Sequence, residues 1–361
     1  MGKQKRAPRG PLPATAEGFA GALLTAAQAG DDGRWLAPGF ELPAELARGA
    51  ELAAQPLLGR VRRGGWPPED LRQAATRRLD EFAASYVLDA LAEEGGVRWW
   101  TGAEPHLVQW AAKHILTPAE AVTAVVEALG LLLTLPVTAA QPRPAAHHGV
   151  DDKKLSRVRA LLAKAESTSF PEEAEALSAK AQELMTRHAL DRVLLEAAPE
   201  LPSSRRIWLD TPYTDAKSLL VHVVAKANRC RAVYDPRWEF VTVVGDEADL
   251  DAVALLTTSL LVQATRAMIA DPAGRSRPFR KSFLVSYATR IGERLEQAAA
   301  ATLTEMPDTD RLLPVLASHE LKVNTAFTTL FPEVVGKSVA VRSAEGWHAG
   351  RSAADRARLG E

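Results

Sequence analysis

The chain of 361 residues contains a single cysteine, Cys230. One cysteine excludes an internal disulfide and any metal site built from several thiolates. It agrees with a reducing compartment, so the sequence predicts a cytoplasmic protein. Cys230 lies in the segment RCRAVY, which has the pattern of a strand, and we expect it to be a small buried apolar residue rather than a reactive thiol.

An excess of charge is also missing. The chain has 44 Lys and Arg against 45 Asp and Glu, a formal net charge of −1, so no global field favours nucleic acid or a membrane surface. Long apolar runs are missing too. The longest candidate, residues 121–135, is interrupted by Glu127, ends at Pro136 and is short for a bilayer. We therefore expect a core helix there and no membrane partner.

The standard catalytic motifs are absent. Gly336-Lys337-Ser338 resembles the end of a P-loop, but Phe331 occupies the position of the first glycine. His319-Glu320 begins the H-E-x-x-H zinc pattern, but Val323 stands where the second histidine should be. Neither G-x-S-x-G nor G-x-G-x-x-G occurs. The sequence predicts no cofactor and no metal ion, and it leaves open whether the protein is an enzyme.

What the sequence does contain is helical periodicity. Apolar residues recur at three- and four-residue spacing over almost all of residues 16–198, and strands are expected only after about residue 205. One helix should run from Pro67 to the stop at Gly95-Gly96, and a capping box at Thr117–Glu120 should open the next apolar helix. Three β-rich segments follow, at 206–209, 229–234 and 240–244, with a hairpin turn at Asp235-Pro236-Arg237.

These patterns predict a mainly α fold with a helical N-terminal region, a helical hairpin in the middle and a small α+β C-terminal domain. Composition sets the expected boundaries as follows: a disordered basic tail at 1–15, a helical domain at 16–135, a linker at 136–152, a helical hairpin domain at 153–198 and an α+β domain at 205–361.

The helical hairpin carries the most specific pattern in the chain. Leu155, Val158, Leu161 and Leu162 form one apolar stripe, and Leu177, Ala181, Leu184 and Met185 form a second. Ser169-Phe170-Pro171-Glu172 between them is a capping box. Four short runs of residues make the pattern of this segment specific. They are Arg159-Leu161-Leu162, Ala165-Glu166-Ser167, Pro171-Glu172-Glu173-Ala174 and Ala181-Gln182-Glu183-Leu184-Met185.

Through these features the segment resembles the domain of unknown function 2786 family of bacterial and phage proteins. Residues 279–295 and 346–357 resemble, more weakly, the tail often attached to that domain. The family has no established catalytic residues, so the resemblance implies no site.

Three groups of residues are candidates for chemistry. The first is the acidic group that follows the strand FVTVVG, namely Asp246, Glu247, Asp249 and Asp251. Carboxylates at a strand end can hold a divalent cation. Acids at a helix N-terminus also complement the helix dipole, and we favour that interpretation. Another candidate group is Gly346-Trp347-His348-Ala349-Gly350-Arg351. We expect it to be a glycine-containing turn, which either permits close backbone approach to a ligand or simply reverses the chain.

The remaining group is a basic segment that could neutralise phosphates. Its candidate nucleic-acid-binding residues are Arg275, Arg277, Arg280, Lys281, Arg290 and Arg294.

Together these features predict a multi-domain binding protein. The basic segment would bind nucleic acid or another polyanion, the family-like hairpin would mediate an interaction, and the partner would be nucleic acid or protein. The first alternative is a metal-dependent hydrolase of phosphate esters, with Asp246, Asp249 and Asp235 as its acids and Arg280 and Arg290 as its phosphate ligands. The second alternative is a protein-interaction scaffold. The oligomeric state stays open.

Overall fold

A computed structural model of the chain describes residues 11–94, 99–136, 156–164, 177, 180–187, 202–304, 309–336 and 339–357. The chain divides into two compact units, Met1–Gln141 and Pro142–Glu361. The predicted fold class is confirmed, because the structure is mainly helical and a small three-stranded antiparallel sheet lies in the C-terminal half.

In the described residues of the N-terminal unit, all regular secondary structure is helical. Its helices are α1 Ala16–Ala29, a 3-10 turn Arg34–Leu36, α2 Ala44–Arg63, α3 Pro68–Arg78, α4 Glu81–Glu94, α5 His106–Lys113 and α6 Pro118–Thr134. The predicted capping box is present, since the Thr117 side chain accepts from the Glu120 backbone N–H and the Glu120 side chain accepts from that of Thr117. As expected for a core helix, α6 buries Val122, Val125 and Leu129.

The single helix predicted from Pro67 to Gly95 is wrong, because the structure has two. Leu79 is in an extended conformation and ends α3. Asp80 then accepts the backbone N–H of Ala83 at 2.8 Å and so caps the start of α4. A short acidic side chain competes for backbone N–H groups in this way, which a drifting apolar stripe does not reveal.

The C-terminal unit combines helices with the sheet. Its elements are helical residues 156–164 (α7) and 180–187 (α8), then β1 Ser203–Trp208, α9 Thr214–Ala227, β2 Arg231–Asp235, β3 Phe240–Gly245, α10 Glu247–Ala270, α11 Arg277–Thr304, α12 Thr309–Leu330 and α13 Ala344–Arg356. The sheet order is β1-β3-β2, with Ser203 opposite Gly245 and Asp235 opposite Phe240. Every residue of β3 is buried, as expected for a central strand.

The described part of the family-like segment shares the core of this unit. Val158 and Leu162 on α7 and Ala181 and Met185 on α8 are buried in one apolar cluster with residues of the sheet and of α9 to α11. The separate hairpin domain stays a prediction, but these side chains pack into the larger core. The capping box at 169–172 lies outside the described residues.

Helix α10 is long and apolar enough to cross a membrane by length and composition alone. It also supplies core residues such as Leu250, Val253, Leu256 and Leu260. A core helix of a folded domain passes the same test, so this feature is weak support for a membrane span.

The predicted glycine turn at 346–351 is wrong, because these residues form the first two turns of α13. A Cβ on Gly346 would lie 2.5 Å from the carbonyl oxygen of Phe279, and one on Gly350 would lie 2.2 Å from that of Phe283. The glycines therefore allow α13 to pack directly on the backbone of α11. The pattern that suggested close approach to a ligand is explained by close approach between two helices.

Candidate functional site

The four acids at the start of α10 divide into two pairs. Glu247 and Asp251 both form ion pairs with Arg205 on β1. Asp246 and Asp249 are buried and contact other residues. Only the first pair has an evident structural partner on the neighbouring strand, so the second pair needs a different explanation.

Asp246 contacts a histidine that lies far away in sequence. It occupies the N-cap position of α10, yet its side chain makes no capping hydrogen bond. Its Oδ2 instead lies 2.7 Å from Nε2 of His319 on α12, and both side chains are buried. Helix-dipole complementarity alone, the favoured interpretation of the sequence, does not account for this contact.

Asp249 contacts a partly buried arginine. Its Oδ1 accepts from a guanidinium nitrogen of Arg229 at 2.9 Å. Burial opposes the charged form of Arg229, but the attraction of Asp249 and Asp246 outweighs it and raises the pKa of the guanidinium. Arg229 therefore stays charged beside the two acids.

Two atoms of this cluster are left without a hydrogen-bond partner. They are Oδ2 of Asp249 and Nδ1 of His319, and both are buried. One ligand atom from each of Asp246, Asp249 and His319 lies within 4.8 Å of the others. Buried polar atoms are normally paired, so these two mark a place that the protein's own hydrogen bonds do not satisfy.

Local backbone features bring the cluster together. Arg229 has a left-handed backbone conformation, with φ of 61°, just after the end of α9. Glycine is the usual residue at such a position, so an arginine adopts this backbone conformation at an energetic cost. Gly245 at the end of β3 allows that strand to lie close to Cys230, because a Cβ on Gly245 would lie 2.4 Å from the Cys230 sulfur. Cys230 is buried, as expected.

A cavity of about 390 Å³ adjoins the cluster. Its cationic wall is formed by Lys226, Arg229 and Arg231, at the end of α9 and the start of β2. Helix α12 contributes Glu320, which follows His319 directly, and Asn324. Helix α8 of the family-like segment contributes Thr186.

The family-like segment is also linked to the cationic turn by a buried hydrogen bond. Gln182 donates to the side chain of Asn228 at 3.3 Å. Both residues are almost fully buried. The segment therefore supports the turn that presents Arg229 and also lines the cavity with Thr186.

The structure gives most of the predicted nucleic-acid-binding residues intramolecular partners. Lys281 pairs with Asp215 at 2.5 Å, and Arg290 pairs with Asp355 and with Glu293. These contacts offset positive charge along α11.

Two of the predicted cations contact backbone carbonyls. Arg280 donates to Gly274, and Arg294 donates to Ala354 and Ala357 at the end of α13. Arg275 and Arg277 are exposed to solvent. The basic segment is therefore a less concentrated positive surface than the sequence suggests.

Asp235, the third acid of the hydrolase hypothesis, lies outside the cluster. Its Oδ1 accepts from the backbone N–H groups of Arg237 and Trp238, which closes the predicted hairpin turn. The carboxylate is used by the β2–β3 connection.

Sequence reasoning missed Arg229 and did not connect His319 with the acids. His319 was recognised only as a fragment of a zinc motif, and its partners are 73 and 70 residues away in the chain. For Arg229 a weak signal existed, since an arginine followed the end of a predicted helix where glycine is usual.

Comparisons with known proteins add one match. Residues 153–192 match the model of a family described as protein of unknown function, DUF2786, which confirms the resemblance that the sequence predicts for this segment. The resemblance of residues 279–295 and 346–357 stays a prediction. Neither a curated protein nor a solved structure matches the chain.

Proposed function

We propose that the C-terminal unit binds a phosphate-bearing ligand in the cavity beside Arg229. The observation that supports this proposal is the convergence of Lys226, Arg229 and Arg231 on one wall of that cavity. Arginine and lysine are the side chains that proteins use most for phosphate, arginine as a bidentate donor and lysine as a point charge. The volume of about 390 Å³ is in the range of small-molecule sites.

This proposal narrows the polyanion binding expected from the sequence. Four of the six cations in the basic segment contact acids or backbone carbonyls within the unit. The cavity cations also have partners, since Lys226 pairs with Glu296, Arg229 pairs with Asp249 and Arg231 donates to Asn324. What distinguishes the second set is that its members line one cavity. A cavity favours a nucleotide or the end of a nucleic-acid strand over the side of a long duplex. Arg275 and Arg277 are exposed and could add a contact to a longer polyanion.

The test compares two pairs of exposed cations in the full chain. Inorganic pyrophosphate and a single-stranded oligonucleotide are titrated at low salt, by calorimetry and fluorescence anisotropy. Lys226→Gln with Arg231→Gln should weaken both interactions, and for the oligonucleotide it should flatten the salt dependence by up to about one unit for each phosphate interaction removed. Arg275→Gln with Arg277→Gln is the matched control, since it removes the same charge outside the cavity.

The outcomes separate the hypotheses. Loss of binding only in the Arg275 and Arg277 variant would move the site to the basic segment, and the cavity proposal would be wrong. A folded wild-type protein that binds neither probe would leave the protein-interaction scaffold as the best remaining function.

A second candidate function is the metal-dependent hydrolysis of phosphate esters. It is favoured by Arg229, which lines the cavity and also contacts Asp249. A chromogenic phosphodiester, assayed with Mg²⁺ or Mn²⁺, tests it directly. Asp246→Asn should abolish turnover while the circular dichroism spectrum stays unchanged. Equal rates in the variant and the wild type would remove this candidate.

A further inference from the structure

We infer that Asp246, Asp249 and His319 form a binding site for one divalent transition-metal ion. The inference goes beyond the proposed phosphate site and does not depend on it. One ligand atom from each residue lies within 4.8 Å of the other two. A four-coordinate ion with bonds of about 2.0–2.2 Å holds its ligand atoms about 3.3–3.6 Å apart, so the side chains would have to approach each other by up to about 1.5 Å to share one ion.

The unpaired atoms point to a missing ligand. Oδ2 of Asp249 and Nδ1 of His319 are buried and have no hydrogen-bond partner. The two side chains are 5% exposed. A carboxylate oxygen and an unprotonated imidazole nitrogen both donate electron pairs, so a cation satisfies either of them.

The remaining contacts of the cluster resemble the support that metal ligands usually have. Arg229 holds Oδ1 of Asp249 at 2.9 Å, which orients the carboxylate and leaves Oδ2 available. The 2.7 Å contact joins Nε2 of His319 to Oδ2 of Asp246, which fixes the imidazole ring and leaves Nδ1 outside that contact. Ligating carboxylates and imidazoles are typically fixed by such outer hydrogen bonds.

The charge balance also favours a cation. Two carboxylates and one guanidinium give the cluster a formal charge of −1 when His319 is neutral. A divalent ion would change this formal charge to +1. The neighbouring acids Glu247 and Asp251 share one arginine, Arg205, so they leave a further formal charge of −1 nearby, which also favours a cation.

The ligand set selects the class of metal. One imidazole and two carboxylates suit Zn²⁺, Mn²⁺, Fe²⁺ or Co²⁺ better than Ca²⁺ or Mg²⁺, which prefer oxygen ligands alone. Three protein ligands leave a coordination position for water or substrate, as in catalytic rather than structural zinc sites. The nearby cavity of about 390 Å³ is a route by which such a molecule could approach.

The rival explanation is a closed ion-pair network that only joins α12 to the start of α10. In that case both ring nitrogens of His319 would be protonated, and the positive imidazolium would bring the formal charge of the cluster to zero. A network of this kind has no need of a metal, and its three members would contribute to stability with or without added ions.

The experiment titrates metal-free full-length protein with Zn²⁺ by calorimetry and with Co²⁺ by visible absorption. We expect one ion per chain, and a Co²⁺ spectrum with the intense bands of a low-coordinate site. His319→Gln and Asp249→Asn should each weaken Zn²⁺ affinity by about 100-fold or more, which is the upper end of the effect seen when groups that merely support ligands are removed. Circular dichroism would confirm that each variant is folded.

His348→Gln is the matched control. It removes another histidine of the same unit, one that is exposed and outside the cluster, and it should leave Zn²⁺ affinity unchanged. Wild-type protein that binds neither ion would overturn the inference. So would Zn²⁺ binding that survives in His319→Gln or is lost in His348→Gln. If both cluster variants fail to fold, the wild-type stoichiometry and Co²⁺ spectrum still decide whether a low-coordinate site exists.

Discussion

Each unit of the protein contains an aspartate–histidine pair with a buried histidine, and the two pairs differ in what surrounds them. In the N-terminal unit Nε2 of His106 lies 3.2 Å from Oδ2 of Asp89, and the indole N–H of Trp99 donates to the same oxygen. In the C-terminal unit Nε2 of His319 lies 2.7 Å from Asp246. The same two residue types thus occur in a satisfied and an unsatisfied environment.

The surroundings explain the difference. The ring of His106 is stacked on Tyr86 and contacts Trp100, so the first pair is enclosed by aromatic side chains. The second pair has an additional acid, Asp249, and unpartnered atoms beside a cavity. A buried polar pair is therefore a sign of function only when its hydrogen-bonding capacity exceeds what the fold uses.

The largest expected effect concerns the family-like segment in the C-terminal unit. Leu162 is 3% exposed and belongs to the shared core. Leu162→Ala should lower the free energy of unfolding by about 2–5 kcal/mol, through reduced burial and the cavity left behind. Chemical denaturation measures this, with Leu321→Ala on the exposed face of α12 as the control, expected within about 0.5 kcal/mol of wild type. If Leu162→Ala leaves the free energy of unfolding unchanged, the apolar stripe that contains Leu162 is an exposed partner surface.

A smaller effect is expected where α13 packs on α11. Gly350→Ala should destabilise the protein by about 1–3 kcal/mol, because its Cβ would lie 2.2 Å from the Phe283 carbonyl oxygen and the helices would have to separate. Gly336→Ala is the matched control, since no atom lies within 4 Å of a Cβ there. Thermal melts of both variants would test this. Equal melting temperatures would contradict the close packing of α13 on α11.

The smallest effect should come from the satisfied pair of the N-terminal unit. Burial opposes the ionisation of Asp89, but hydrogen bonds from His106 and Trp99 outweigh it and lower the pKa of Asp89. A lowered folded-state pKa adds stability above the unfolded pKa, which is about 3.9 for aspartate. That stability is lost as the pH falls through the folded-state pKa.

Asp89→Asn should therefore flatten the fall of stability below about pH 4, measured by urea denaturation over a pH series. The same substitution should leave Zn²⁺ binding intact, which sharpens the contrast with Asp246. Glu41→Gln removes an exposed acid of the same unit and serves as the control. A pH profile of Asp89→Asn that matches the wild type would show that the pair contributes no linkage.

The sequence by itself determined the helical character of the N-terminal unit and the three strands, whereas the start of α13 was expected to be a turn. The apolar periodicity predicts α6 and the helices of the family-like segment, the Thr117 capping box sets the start of α6, and Asp235 sets the β2–β3 turn. These signals are local, because hydrophobic spacing, caps and turns depend on residues within a few positions of each other. The break at Asp80 was missed because its side chain competes for the backbone within an otherwise continuous stripe.

Only the tertiary structure decided the candidate site. His319 meets Asp246 across 73 residues, and Arg229 meets Asp249 across 20. These meetings depend on the antiparallel order β1-β3-β2, on the close contact of Gly245 with Cys230, and on the contact of α12 with β2 and β3. None of these leaves a periodic trace in the sequence, because a long-range contact is fixed by the packing of whole elements. The acids were visible in the chain, and the fold supplied their partners.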